Sequence, residues 1–176
     1  LRAKKGANAL IALGAGPDVP VAVILRNDLA HLEVMRAAAR AGVVIVALNW
    51  HAAADEVAAI CEDSGAGFVI IHRDLIDAVR PALEGRVVIG VTPNKALRSA
   101  YKIDEDAAAS DLAWEEWDSL VTAASPQEAR EVMRPLRRYT SGSTGAPKGV
   151  KRVGTGPRKD FEEVLRRVGR EMMRFR

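Results

Sequence analysis

The sequence predicts an α/β protein with a mostly parallel sheet flanked by helices. Two observations carry this prediction. Short β-branched apolar runs recur at residues 19–25, 43–48, 68–71 and 87–91. Alanine- and leucine-rich segments with helical spacing separate them, and glycines close several of those segments. Uninterrupted apolar runs are the signature of strands buried on both faces. Their alternation with helices over short connections implies right-handed parallel crossovers.

Residues 1–92 form the α/β subdomain. Residues 1–13 read as a helix that ends at Gly14-Ala-Gly-Pro17. Residues 19–25 are the first strand. Asn27 and Asp28 carry side-chain oxygens suited to capping the next helix. That helix runs to about Ala41, with Leu29, Leu32, Val34, Met35 and Ala39 as its expected apolar set, and Gly42 stops it. Residues 43–48 form a second strand, 55–64 a helix stopped by Gly65, and 68–71 a third strand. Residues 75–83 are expected to be helical, and 87–91 form a fourth strand.

Residues 93–133 read as an irregular or helical connector, with acidic stretches at 104–106 and 115–116. Trp114 and Trp117 stand three apart, a spacing that would place them on one helix face, packed on the domain surface. Residues 134–150 form an expected hairpin around a phosphate-binding loop. Residues 157–176 form an expected amphipathic helix with Phe161, Val164, Leu165, Val168, Met172 and Phe175 on one stripe, an apolar face suited to a sheet.

Composition bounds the function. At 176 residues the chain suits roughly one domain and is long enough to bury a core. No apolar run is long enough to cross a membrane as a helix. The single cysteine, Cys61, cannot form an internal disulfide, which fits a cytoplasmic protein, and it reads as a small buried helix residue. Charge is uneven. Residues 1–133 hold 13 basic and 19 acidic side chains, and residues 134–176 hold 13 and 4. The basic part lacks interleaved stacking aromatics, so nucleic acid is not the expected partner. A basic field around a site for acidic small molecules accounts for it more simply.

The chemistry is concentrated in residues 139–150, Tyr-Thr-Ser-Gly-Ser-Thr-Gly-Ala-Pro-Lys-Gly-Val. Gly142 and Gly145 let the backbone approach a ligand closely. Successive N–H groups in such a loop make a concave anion site. Thr140, Ser141, Ser143 and Thr144 add hydroxyl donors, and Lys148 adds a compact positive charge suited to phosphate. The stretch is not a Walker A loop, which requires Gly directly before its Lys and Ser or Thr directly after. Lys148 stands between Pro147 and Gly149. The expected ligand-binding set is therefore Thr140, Ser141, Gly142, Ser143, Thr144, Gly145 and Lys148. No catalytic side chain is assigned. His31, His51 and His72 have no metal-ligand spacing and none lies near a serine of the loop in sequence.

These twelve residues resemble the phosphate-binding signature of the adenylate-forming superfamily, which comprises acyl-CoA synthetases, aryl-CoA ligases, luciferases and peptide-synthetase adenylation domains. Every fixed position of Tyr/Phe-Thr-Ser-Gly-Ser/Thr-Thr-Gly-x-Pro-Lys-Gly-Val is met. Residues 21–27, Val-Ala-Val-Ile-Leu-Arg-Asn, resemble a family strand that ends in Pro-Asn or Arg-Asn. Residues 38–49 resemble a stretch written Ala-x-x-x-Ala-Gly-Ala-x-x-Val-Pro-Leu-Asn, with Ala47 where proline is common. Residues 56–71, with Asp63-Ser-Gly-Ala66, resemble the helix, turn and strand that follow. The wording is closest to bacterial acyl-CoA synthetases and covers the N-terminal part of such enzymes.

The resemblance implies an ATP-dependent carboxylic acid–CoA ligase, with ATP, Mg2+ and coenzyme A as co-substrates and a carboxylic acid, expected to be a fatty acid, as the acyl donor. It implies that the loop holds the β- and γ-phosphates. The family's later motifs for adenine, Mg2+ and ribose, and its C-terminal lysine, have no counterpart here, and Lys148 does not match that lysine. The metal ligands are unassigned. The chain then reads as a partial N-terminal domain, with two alternatives: an incomplete nucleotide-binding subdomain without turnover, or part of a peptide-synthetase adenylation domain. A sheet lacking its further strands exposes an edge, so self-association through that edge is expected.

Overall fold

The computed structural model describes residues 1–104 and 113–126 in full, and the backbone of residues 137–140 and 148–150. Helix α1 (Arg2–Ala12) leads into β1 (Val21–Ile24), α2 (Leu29–Ala41), β2 (Ile45–Ala47), α3 (Ala54–Ser64) and β3 (Phe68–His72). Two 3-10 segments (Arg73–Leu75 and Asp77–Leu83) connect β3 to β4 (Val87–Val91). Helix α4 (Lys95–Tyr101), the two-residue strand β5 (Glu115–Glu116) and α5 (Trp117–Ala123) follow, then β6 (Arg137–Thr140) and β7 (Lys148–Val150).

The strands form one sheet in the order β5-β4-β3-β1-β2-β6-β7. Every neighbouring pair is parallel except β6–β7, which is antiparallel. The expected α/β class with a mostly parallel sheet is therefore the observed one. The order changes direction at β1: β2 is added on one side of it and β3 on the other.

Local signals account for the element ends. The Asp28 side chain accepts the His31 N–H at 2.9 Å and caps α2. Gly42 and Gly65 close α2 and α3 at φ 69°, a left-handed conformation that glycine adopts without a Cβ penalty. Asn94 caps α4 by accepting the Leu97 N–H at 3.0 Å.

Alternating strand residues feed two cores. Val21, Val23, Phe68, Ile70 and Ile89 face α1, α2 and α5, meeting Leu10, Val34, Ala37 and Trp117. Ala22, Ile24, Val69, Ile71 and Val88 face the other side, meeting Val57, Ile60 and Cys61 of α3 and Ile76, Val79 and Leu83. Both faces of the central strands are covered, which is why their sequences read as unbroken apolar runs.

Three expectations change. Leu29 and Leu32 are 79% and 61% exposed; α2 buries Val34 as expected, with Ala37 and Ala38 in place of the leucines. The cause is α1, which lies parallel to α2, with Arg2 bonded to Glu33 and Gly6 set against Ala37. Helices this close need small residues between them, so alanines, not leucines, mark the buried face. Residues 75–83 form 3-10 structure instead of an α-helix, because Pro81 lacks an N–H and Val79 leaves helical geometry at φ −121°.

Trp114 and Trp117 do not share a helix face. Strand β5 lies between them, so Trp117 enters the α1–α2 core at 1% exposure while Trp114 packs on the opposite face, over Gly90. A Cβ on residue 90 would lie 2.4 Å from the Trp114 ring, so glycine makes room for that indole. The Trp117 indole N–H donates to Glu33 Oε1 at 2.7 Å, which satisfies its one donor inside the core.

Candidate functional site

In a parallel sheet the carboxyl ends of the strands lie on one edge, and ligands bind outside that edge where the strand order reverses. Here that edge carries two groups of polar residues. The first is the β6–β7 hairpin. β6 runs parallel to β2 with Ala47 opposite Arg138, so Tyr139 and Thr140 extend past the end of β2 toward the carboxyl edge. β7 returns antiparallel, pairing Tyr139 with Gly149 and Thr140 with Lys148. Of the seven expected ligand-binding residues, Thr140 and Lys148 are thus brought opposite one another at the mouth of the loop. Ser141, Gly142, Ser143, Thr144 and Gly145 lie outside the described residues, as does the expected helix 157–176.

The donor set of this loop suits an anion. Hydroxyls, backbone amides and one lysine are all cationic or hydrogen-bond-donating, and residues 139–150 contain no carboxylate, histidine or cysteine to ligate a metal by themselves. Polyphosphate fits this set. Among the described residues no cluster of three or more His, Cys, Asp or Glu side chains could hold a metal ion.

The second group sits at the β1/β3 ends, beside the reversal in strand order. The Arg26 guanidinium, just past β1, makes a two-pronged ion pair with Asp74, just past β3, at 3.0 and 2.7 Å. Both side chains are more than nine-tenths buried. Trp50 and Tyr101 cover the guanidinium, with its carbon 4.7 and 5.0 Å from their ring centres. The rings of Trp50 and His51 lie 3.4 Å apart, centre to centre.

His72, fully buried at the end of β3, accepts the Arg26 backbone N–H on Nδ1 at 3.1 Å. Its Nε2 stands 3.5 Å from Asp28 Oδ2. Asn94 Nδ2 reaches the same oxygen at 3.5 Å, so one aspartate touches the caps of both α2 and α4. Burial is the main cause holding the His72 pKa below the ordinary histidine value, against the opposing pull of Asp28.

Sequence reasoning assigned no role to Arg26, Asp28 and Asp74 beyond the cap. A local signal was present: Arg26 stands two residues past β1 and Asp74 two past β3, after strands whose residues other than His72 are apolar. Elsewhere, burial raises the Cys61 thiol pKa, which fits an inert core residue. Burial also raises the pKa of Glu116, whose Oε1 accepts the Thr92 N–H at 3.4 Å. No helix among the described residues is long and apolar enough to cross a membrane.

Comparison with known proteins places this geometry. The family model "AMP-binding enzyme" matches residues 1–152. The chain is 30% identical over 146 residues to a fatty acid–[acyl-carrier-protein] ligase, ScoC, from Streptomyces coeruleorubidus, covering 82% of this chain and 25% of that protein. It is 30% identical over 155 residues to the long-chain-fatty-acid–CoA ligase FadD13 from Mycobacterium tuberculosis, covering 84% of this chain and 27% of that protein. Its fold matches the crystal structure of an acyl-CoA synthetase from Brucella canis with TM-score 0.68 at 19% identity, over 85% of this chain and 26% of that one. The chain therefore spans about a quarter of the length of these relatives. A signature loop carried on a strand–strand hairpin at the carboxyl edge of a parallel sheet, and a family match that runs through that hairpin, lead to one conclusion: the chain belongs to the AMP-binding enzyme family, whose members related to it include acid–thiol ligases.

Proposed function

We propose that the protein to which this chain contributes is an ATP-dependent carboxylic acid–CoA ligase, and that this chain supplies its pyrophosphate-binding loop. The observation that carries the reading is the pairing of Thr140 with Lys148 at the mouth of a loop that meets every fixed position of the signature. In this reading the acid's carboxylate attacks the α-phosphorus of ATP, giving acyl-AMP and pyrophosphate. Coenzyme A thiol then displaces AMP. The work of the loop is positioning and charge stabilisation. The hydroxyls of Thr140, Ser141, Ser143 and Thr144, with the backbone amides at Gly142 and Gly145, hold the β- and γ-phosphates. Lys148 neutralises charge on the departing pyrophosphate. No nucleophile or general base is assigned to the chain, and Mg2+ would be held by residues it does not contain.

The acyl substrate is proposed to be a fatty acid, a reading supported by the names of the relatives, and the compartment is proposed to be the cytoplasm. The partition into 1–92, 93–133, 134–150 and 157–176 belongs to the same proposal, as does association through an exposed sheet edge. The chain alone, lacking an adenine and ribose site, is proposed to be a nucleotide-binding subdomain that does not turn over. The carrier-protein ligase among the relatives favours a second reading for the thiol, in which a carrier protein replaces coenzyme A.

Pyrophosphate exchange by the whole protein with a panel of fatty and aromatic acids tests the first half-reaction. Exchange is expected with at least one fatty acid, and none with any acid overturns the ligase reading. Thioester formation with coenzyme A against a carrier protein then separates the two thiol readings.

A further inference from the structure

We propose that His72 is an acid-sensitive latch on the carboxyl edge of the sheet: neutral, it holds the end of β1 through the Arg26 backbone N–H, and protonated, it releases it. The inference is independent of the ligase reading. It rests on a cluster closed to solvent. His72 is fully buried, and Asp28, Arg26 and Asp74 beside it have side chains 7%, 6% and 9% exposed. Because Nδ1 accepts the Arg26 N–H, the neutral ring carries its proton on Nε2, facing Asp28.

The charged groups that meet the ring are Arg26 on the segment after β1, Asp28 at the cap of α2, and Asp74 on the segment after β3. Asn94, at the cap of α4, bonds Asp28 and carries no charge. His31, one turn into α2, sets its Nδ1 at 3.4 Å from the Leu25 carbonyl and is bound through its backbone to Asp28. With Arg26 cancelling Asp74, the neutral-ring cluster holds one uncompensated negative charge, on Asp28.

A second proton on the ring can only go to Nδ1. There it meets the Arg26 N–H donor to donor, so that bond must break while the attraction to Asp28 strengthens. The ring then has reason to move toward α2 and α4. The strand end is let go together with Arg26, which lies under Trp50 and Tyr101. No atom or electron is exchanged beyond this one proton from solvent.

The test is amide hydrogen exchange of Arg26 in the 176-residue chain from pH 8 to pH 5, expressed as protection so that intrinsic exchange cancels, alongside ring titration of the three histidines. Protection at Arg26 is expected to fall about tenfold or more as His72 takes its proton, since the amide loses its buried acceptor. His72→Asn, which keeps an acceptor near the Nδ1 position and does not titrate, is expected to hold protection flat. Asp28→Asn keeps the cap and removes the facing charge, so release is expected at lower pH. Flat protection in the unsubstituted chain overturns the latch, as does an unchanged fall in His72→Asn. Should His72→Asn not fold, an Asp28→Asn chain that releases at the unsubstituted pH overturns it equally.

Discussion

Two polar groups share the carboxyl edge of this sheet and are built on opposite principles. At the β1/β3 ends, Arg26 finds Asp74, His72 finds the Arg26 backbone, and Asp28 finds two helix caps. Arg26 and Asp74 are matched there within the fold, and the cluster is shut away from water. At the β6–β7 hairpin, residues 139–150 bring hydroxyls, amides and a lysine with no carboxylate of their own. Donors of that kind with no carboxylate among them fit the proposed anion site. The difference teaches what separates a charge paired within the fold from one proposed to meet a ligand: Arg26 has Asp74 as its partner, and residues 139–150 carry no carboxylate of their own for Lys148.

The comparison breaks if the first group proves dispensable. Asp74→Ala strands a buried guanidinium, and removing one partner of a buried pair costs about 3–5 kcal/mol. Chemical denaturation of the chain is expected to show a loss of that size, and a loss below about 1 kcal/mol would mean Arg26 is solvated after all. A smaller effect is expected where packing alone is disturbed. Gly6→Val places a Cβ 2.8 Å from the Trp117 ring and 3.0 Å from Ala37. Overpacking of this kind costs roughly 1–3 kcal/mol, and near-ultraviolet circular dichroism of the chain is expected to report the displaced indole. An unchanged spectrum and melt would mean that α1 does not seat on α2 and α5 as described.

The smallest effect on stability, and the sharpest contrast, is expected at the hairpin. In the proposed role, Lys148→Ala is expected to change stability by less than about 0.5 kcal/mol, since a side chain that serves a ligand contributes little to folding. In the whole protein the same change is expected to slow pyrophosphate exchange by roughly 10²–10³-fold, the scale of losing one donor to developing charge. Loss of folding in place of loss of exchange would move Lys148 into the structural group and erase the distinction.

Much of the fold was legible because its signals are local. Asp28 and Gly42 bracket α2 as a cap and a stop should, and the four apolar runs contain β1, β2 and β4 and all of β3 but His72. The weak stretch after residue 92 hid α4 and β5, since a two-residue strand has no periodicity to read. At the site the signature gave an expected ligand class, and the hairpin register sets Thr140 opposite Lys148. The pairing inside the buried cluster was illegible for a different reason. Arg26 and Asp74 are 48 residues apart, and neither residue type is ordinarily found in a core without a partner.

By itself, then, the sequence determined strands β1 to β4 and helices α1 to α3, where α2 and α3 stop, and which side chains residues 139–150 offer, because caps, glycines and apolar runs act over a few residues. Only the tertiary structure decided that alanines and not leucines are buried on α2. It also sent Trp114 and Trp117 to opposite faces of the sheet, and it closed a ring of charge around His72. Those outcomes depend on which surfaces meet when the chain crosses over, and distant residues settle that through close packing and desolvation.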